Sequence, residues 1–362
     1  MSRIRILGTA TAVIILSIGA AGLRAVGHGR TLVVTMTNDP RANEIKVYDV
    51  NSQTLLQTLS THGQGGAGGN ARGIRQLDDD LVAVVNNGSN TVALFRRDGD
   101  ALKFDRTVST SSAPVSVDFA NDHLYVAGAT TVDSFVVRGN SVGWWDGTAT
   151  LALAGGAVPP AGSTAQVGAV NDRQILVTLK ADPDPGTVDI VVLDRGRVTG
   201  AAPTAVSAPA GTLTPFGFAV YGDGTALITL AHSNQDSLFR DGAFKTVIAA
   251  GQNASCWMTR VGKYVFAANT GSQTISRLIG TGNNVFVDNP IAATIATGGA
   301  PADIDATAGV IGVIDHGAGQ SHLSLFTYNQ FGELVASGAP ITVGVANANG
   351  VAVLGPRPDG RD

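Results

Sequence analysis

The chain has 362 residues, of which 44% are hydrophobic and 14% charged, and its formal charge is −4. That is ample material for a core and too little charge for a disordered chain. No long basic run is present, so no nucleic-acid partner is expected. With 46 glycines and 14 prolines, the composition falls short of low complexity and fits many tight turns.

Residues 1–27 read as a targeting segment, with Arg3 and Arg5, an apolar run from Ile6 to Leu23, and then small residues. Removing it takes away three arginines and no acid, which moves the net charge from −4 to −7. The rival reading is an uncleaved anchor, since the 18 residues of the run are just long enough to cross a bilayer. Gly, Thr and Ser within the run favour cleavage. No cysteine follows it, which excludes lipid attachment there, and the single Cys256 makes no internal disulfide. The expected location is periplasmic or extracellular, or membrane-anchored if the leader stays.

Beyond the leader the chain reads as short strands. Leu81–Val85 is a continuous apolar run suited to a strand buried on both faces. Asn86–Asn90 is turn chemistry, Thr91–Arg96 alternates as a strand, and Arg97–Asp100 turns again. Leu102–Ser109 and Val115–Phe119 follow, and the four strands are expected to make one small antiparallel sheet. Such a sheet cannot bury both faces alone and should recur. Aligned to it, second strands start near Leu32, Leu81, Leu124, Ile175, Leu227, Val265 and Ile311, between 38 and 52 residues apart. The third copy is weak, with Trp144 and Trp145 in a long excursion, and the fifth is short.

These repeats predict an all-β chain, a seven-bladed β-propeller over residues 28–355 with a tail over 356–362. The first copy begins at Thr31 with its second strand, and Val351–Leu354 follows the last copy. The C-terminal strand is therefore expected to complete the first blade and close the ring. A monomer is expected.

The loops expected on the channel face carry His62, His232 and His316, and inner-strand entrances place Arg72, Cys256 and Asn349 around the axis. A histidine there can act as general acid or base; the plain alternative is a solvated loop residue. Arg72 can hold a carboxylate or phosphate, and the competing reading is a buried arginine satisfied by carbonyls or by Asp303. Asp315 precedes His316 and can orient its imidazole. The candidate catalytic set is thus His232, His316 and Arg72, with His62, Asn349 and Asp315 as ligand-binding candidates. No zinc-ligand spacing occurs, so no metal residue is assigned. Asp182-Pro183-Asp184 offers oxygens to calcium but reads more simply as a stiff acidic loop. No cofactor is expected, with a divalent cation in the channel left open. Glu44 and Glu333 are the two glutamates, which argues against a Glu pair for glycosidase chemistry. Gly63–Gly69 does not lie between strand and helix and is no phosphate loop. Cys256 beside Trp257 reads as packing.

The segments at 81–102, 111–128 and 298–309 resemble the seven-bladed lactonase family of 6-phosphogluconolactonase-like and carboxymuconate-cyclase-like proteins. YVFAANTGSQTIS at 264–276 also resembles YVTN-type repeats of surface proteins. The likeness covers roughly 31–354 and rests on blade-building residues. The family commonly carries a His-x-His element at an inner-strand entrance, whereas the matching Ala113–Val117 has no histidine. With the leader and without that element, the expected function is an exported binding or interaction propeller of the lactonase-like type, for a small anionic ligand or a cell-surface partner. The alternative is a lactonase or cycloisomerase acting on a small lactone, sugar acid or related carboxylate.

Overall fold

The structure, a computed structural model, describes residues 29–357. The expected leader over 1–27, and the tail from 358 onward, lie outside the described residues. Seven antiparallel sheets follow one another around an axis; six run in chain order from inner to outer strand, and the first takes its inner strand from the C-terminal end of the described residues. Every inner strand touches the inner strand of the next sheet, which closes the ring. The chain is a seven-bladed β-propeller.

Blade 2 shows how sequence makes a blade. Its strands are Ile74–Leu77, Leu81–Asn86, Thr91–Asp98 and Ala101–Ser109. Leu81–Asn86 is buried at every position because blades pack on both its faces, whereas Ala101–Ser109 has one buried position, Leu102, and meets solvent. Between the middle strands, Asn87–Ser89 forms a short turn that ends on Asn90 at φ 52°. Ala231–Ser233 and Asn234 at φ 58° repeat that turn in blade 5. Asparagine tolerates this left-handed conformation better than most side chains.

Two sequence expectations shift. Val115–Phe119 does not complete the Leu81 sheet; as part of Pro114–Ala120 it is the inner strand of blade 3. Hairpin-length spacing cannot tell the last strand of one blade from the first of the next. The tryptophan excursion is itself the outer strand, Ser141–Thr150, whose register shifts near Trp145. Both indoles are exposed there, so the segment lost its alternating signature.

The ring closes as the sequence predicts. Asn349–Leu354 pairs antiparallel with Leu32–Met36, from Leu32 opposite Leu354 to Met36 opposite Asn349. Thr35 Oγ1 adds a 2.8 Å bond to the carbonyl of Gly350. Arg357, in the expected tail, pairs with Asp80 and accepts the Gly29 amide at its carbonyl.

Inner strands crowd the axis. A Cβ on Gly217 would lie 2.3 Å from the Cys256 carbonyl oxygen of the next blade, so only glycine fits. Each inner strand also has one edge without a strand partner, and side chains of neighbouring blades meet its amides. Gln166 bonds both the amide (2.9 Å) and the carbonyl (2.8 Å) of Phe218. Ser116 accepts from Val167, Asp118 from Ala169 and Asp305 from Val353, at 3.0–3.1 Å.

Closure predicts a specific failure. Deleting residues 347–362 removes the inner strand of blade 1 and exposes two blade faces. Thermal unfolding followed by circular dichroism should then lose its single cooperative transition; a parent-like melt would show that another contact closes the ring.

Candidate functional site

The inner-strand side chains divide the channel into a charged plug and two openings. Arg75 from blade 2 sits 2.9 Å from Asp305 of blade 7 and 3.4 Å from Asp118 of blade 3. Arg72 Nη1 lies 3.6 Å from the same Asp118 oxygen, and its guanidinium stacks 5.9 Å over Phe218. Burial, then the like charge of Arg75, lowers the Arg72 pKa to about 10. Burial also works against the charge of Arg75, but Asp305, Asp118 and Asp303 outweigh it and raise its pKa. Among the described residues, no group of three or more His, Cys, Asp or Glu has an arrangement that could hold a metal ion.

One opening is formed by the loops leading into the inner strands. It is a cavity of about 510 Å³ with Phe216, Cys256, Trp257, Pro301, Asn70, Asn349 and His316 in its wall. Phe216 and Trp257 meet edge to face at 5.3 Å, and the indole N–H donates to the Asn70 carbonyl at 2.9 Å. That bond fixes the indole plane. Asn349 donates to Asn70 Oδ1 at 2.9 Å, while its own Oδ1 is buried without a hydrogen-bond partner. Lys180 flanks this wall: its ammonium bonds the Gly69 carbonyl and stands 5.1 Å over the Phe216 ring. Burial pulls the Lys180 pKa down to about 8, so the amine is still mostly charged at neutral pH. Burial pushes the Cys256 thiol up to about 11, which makes it a packing group and not a nucleophile.

The structure separates the six sequence candidates. His316 and Asn349 line the mouth. His316 Nε2 donates to the Ala348 carbonyl at 2.7 Å; this fixes the tautomer and leaves Nδ1 as the acceptor. Arg72 does not reach the mouth. Its amide donates to Asp303 at 3.2 Å and its side chain faces the opposite opening, with Arg75 and Asp305. Of the two readings offered for it, the buried arginine comes closer, with Asp118 as the main partner of its guanidinium. His232 pairs with Asp182, whose oxygens also accept the Thr214 hydroxyl at 2.6 and 2.8 Å. That carboxylate is engaged by side chains. His62 is exposed, with its ring tilted against Phe104 and the centroids 4.1 Å apart. Asp315 is fully buried on the face opposite His316, where Thr297 donates to it at 2.7 Å and His322 lies at 3.4 Å. It cannot orient His316, because adjacent strand residues point to opposite faces.

Lys180, Phe216, Trp257 and Asn70 join the mouth only through the fold. Trp257 is visible in the sequence as an inner-strand aromatic, but its role depends on an indole bond to a residue 187 positions away. Lys180 lies near the end of the strand Gln174–Ala181, and nothing local in the sequence distinguishes it from a solvated lysine.

Near the mouth, Asp236 is 1% exposed with one donor, Ser255 Oγ at 2.8 Å, and burial raises its pKa to about 7. The unfolded group titrates near 3.9. Its folded pKa being the higher, its contribution to stability is complete below about pH 4 and is lost as pH rises through about 7. Asp236→Asn keeps an acceptor for Ser255 without an ionisable group. The variant should match the parent near pH 4 and be more stable at pH 8, by on the order of a few kcal/mol. Equal pH profiles for parent and variant, measured by calorimetry, would contradict this.

No known protein family profile matches the chain, and no curated protein does. Solved structures do match. One is a protein of unknown function from Desulfotomaculum acetoxidans, with TM-score 0.65, 13% identity, and coverage of 91% of this chain and 100% of that one. A Bacteroides uniformis protein provisionally assigned as a 6-phosphogluconolactonase matches at TM-score 0.64 and 15% identity, covering 90% and 99%. The periplasmic gluconolactonase of Pseudomonas aeruginosa matches at TM-score 0.60 and 16% identity, again covering 90% and 99%. At these identities the likeness concerns the fold: the chain is a seven-bladed β-propeller built like these lactonase-like structures.

Proposed function

We propose that this protein is an exported binding propeller that holds a small carboxylate with an apolar or aromatic body at the mouth of its channel. The observation that carries this reading is the mouth itself. The Phe216–Trp257 corner offers a flat apolar wall, Lys180 stands at its edge as a cation, and Asn349 Oδ1 is an unused acceptor. A ligand carboxylate against Lys180, a ring against Phe216 and a hydroxyl or amine toward Asn349 would satisfy all three. No Asp or Glu belongs to the cavity wall, and His316 has one nitrogen committed to a backbone carbonyl. Binding without turnover therefore accounts for more of the lining than hydrolysis does. Export is supported by the basic and apolar segment at the N-terminus.

The lactonase alternative has one specific support, the free Nδ1 of His316, which can accept a proton from water. The two readings separate cleanly. Calorimetry against aromatic and aliphatic monocarboxylates should find a binder, and Lys180→Met should weaken it at least about tenfold, as loss of a charge-assisted bond does. A panel of lactones should show no turnover. Lactone hydrolysis abolished by His316→Ala would overturn the binding reading in favour of the enzyme.

A further inference from the structure

We propose that the other end of the channel is a second binding site, in which Arg72, Arg75 and Arg260 hold the oxoanion group of a small molecule. The opening there is a cavity of about 330 Å³ lined by those three arginines with Thr259, Gly262 and Asp305. Gly262 lies in the turn that follows Ser255–Val261, and Val220 and Ala306 of the same wall lie at the far ends of their inner strands. It therefore opens on the face away from the mouth.

The argument rests on unequal use of hydrogen-bonding capacity. The acids are spent. Asp305 gives one oxygen to Arg75 Nη1 at 2.9 Å and the other to the Val353 amide at 3.0 Å. Asp118 gives one oxygen to the Ala169 amide at 3.0 Å and turns the other toward both arginines. Arg72 and Arg260 are not spent. Arg75 is partly engaged, with Nη1 on Asp305 and its buried Nε facing Asp118 at 3.4 Å, and it supplies positive charge to the same wall. Among the described residues, the Arg72 side chain makes no hydrogen bond; its approach to Asp118 at 3.6 Å is electrostatic alone. Arg260 uses Nε on the Gly262 carbonyl and Nη1 on the Val220 carbonyl, and stacks 4.7 Å over Tyr221. Its Nη2 is left over, on a guanidinium already held in place. Planar forks fixed by stacking and backbone bonds suit the paired oxygens of a carboxylate or phosphate.

Gly262 gives a test that leaves the arginines intact. It has φ 57°, which aspartate and asparagine tolerate, and a Cβ there meets nothing within 4 Å. Titration calorimetry with inorganic phosphate and with malonate, as separate probes, should show binding to the full chain that weakens with added salt. Phosphate alone binding identifies a phosphate group as the ligand feature, and malonate alone identifies a carboxylate. Gly262→Asp should weaken binding at least about tenfold, and Gly262→Asn should not. Arg260→Ala, at an exposed position, should also weaken it about tenfold. Lys180→Met should leave it unchanged, which separates this site from the mouth. Failure of both probes to bind the parent would overturn the proposal. So would binding that survives Gly262→Asp and Arg260→Ala, or that is lost in Lys180→Met.

Discussion

The free edge of each inner strand is the constraint on which this propeller depends. A four-stranded blade pairs its strands with one another and leaves the innermost one open toward the axis. The open edges converge on the axis, where each inner strand touches its neighbours. Buried amides must find acceptors, and side chains from neighbouring blades supply them. Asp118, Asp305, Ser116 and Gln166 are placed on inner strands for this work. Arg75 then holds two of these carboxylates in place, which links blades 2, 3 and 7 directly and blades 1 and 4 through the amides of Val353 and Ala169. An aspartate that accepts an amide and pairs with an arginine has little left for chemistry. Ligand-binding capacity is therefore displaced toward the two openings.

The blades themselves were legible because blade-building is local. Period-two alternation, the Asn-Gly turns and the unpaired first and last copies all report on neighbours within one repeat. Closure was legible for the same reason: Val351–Leu354 carries an inner-strand pattern with no blade of its own. The site was less legible, because it depends on which way a side chain leaves a crowded axis. Arg72 and Asn349 occupy matching entrances in the sequence, yet Asn349 turns to the mouth and Arg72 to the plug. At φ 56° and with its amide on Asp303, Arg72 is set in a backbone conformation that the sequence does not announce. Asp315 illustrates the same limit from the other side. Its neighbour in sequence is His316, but its neighbours in space are Thr297 and His322.

Electrostatics also distinguishes the two cations that the mouth and the plug use. Arg72 remains charged whatever its burial, so it tolerates a position among three aspartates. Lys180 responds to burial more readily, and its ammonium is held by a carbonyl and an aromatic face with no carboxylate bonded to it. A ligand carboxylate arriving there meets a cation without a dedicated counter-charge, which favours binding.

The central claim is that the mouth receives a carboxylate with an apolar body. A crystal structure of the full chain saturated with the tightest-binding aromatic monocarboxylate tests it most directly. The account predicts the carboxylate within about 3.5 Å of Lys180 Nζ and the ring against Phe216 and Trp257. A saturated crystal whose mouth holds no ligand would contradict it.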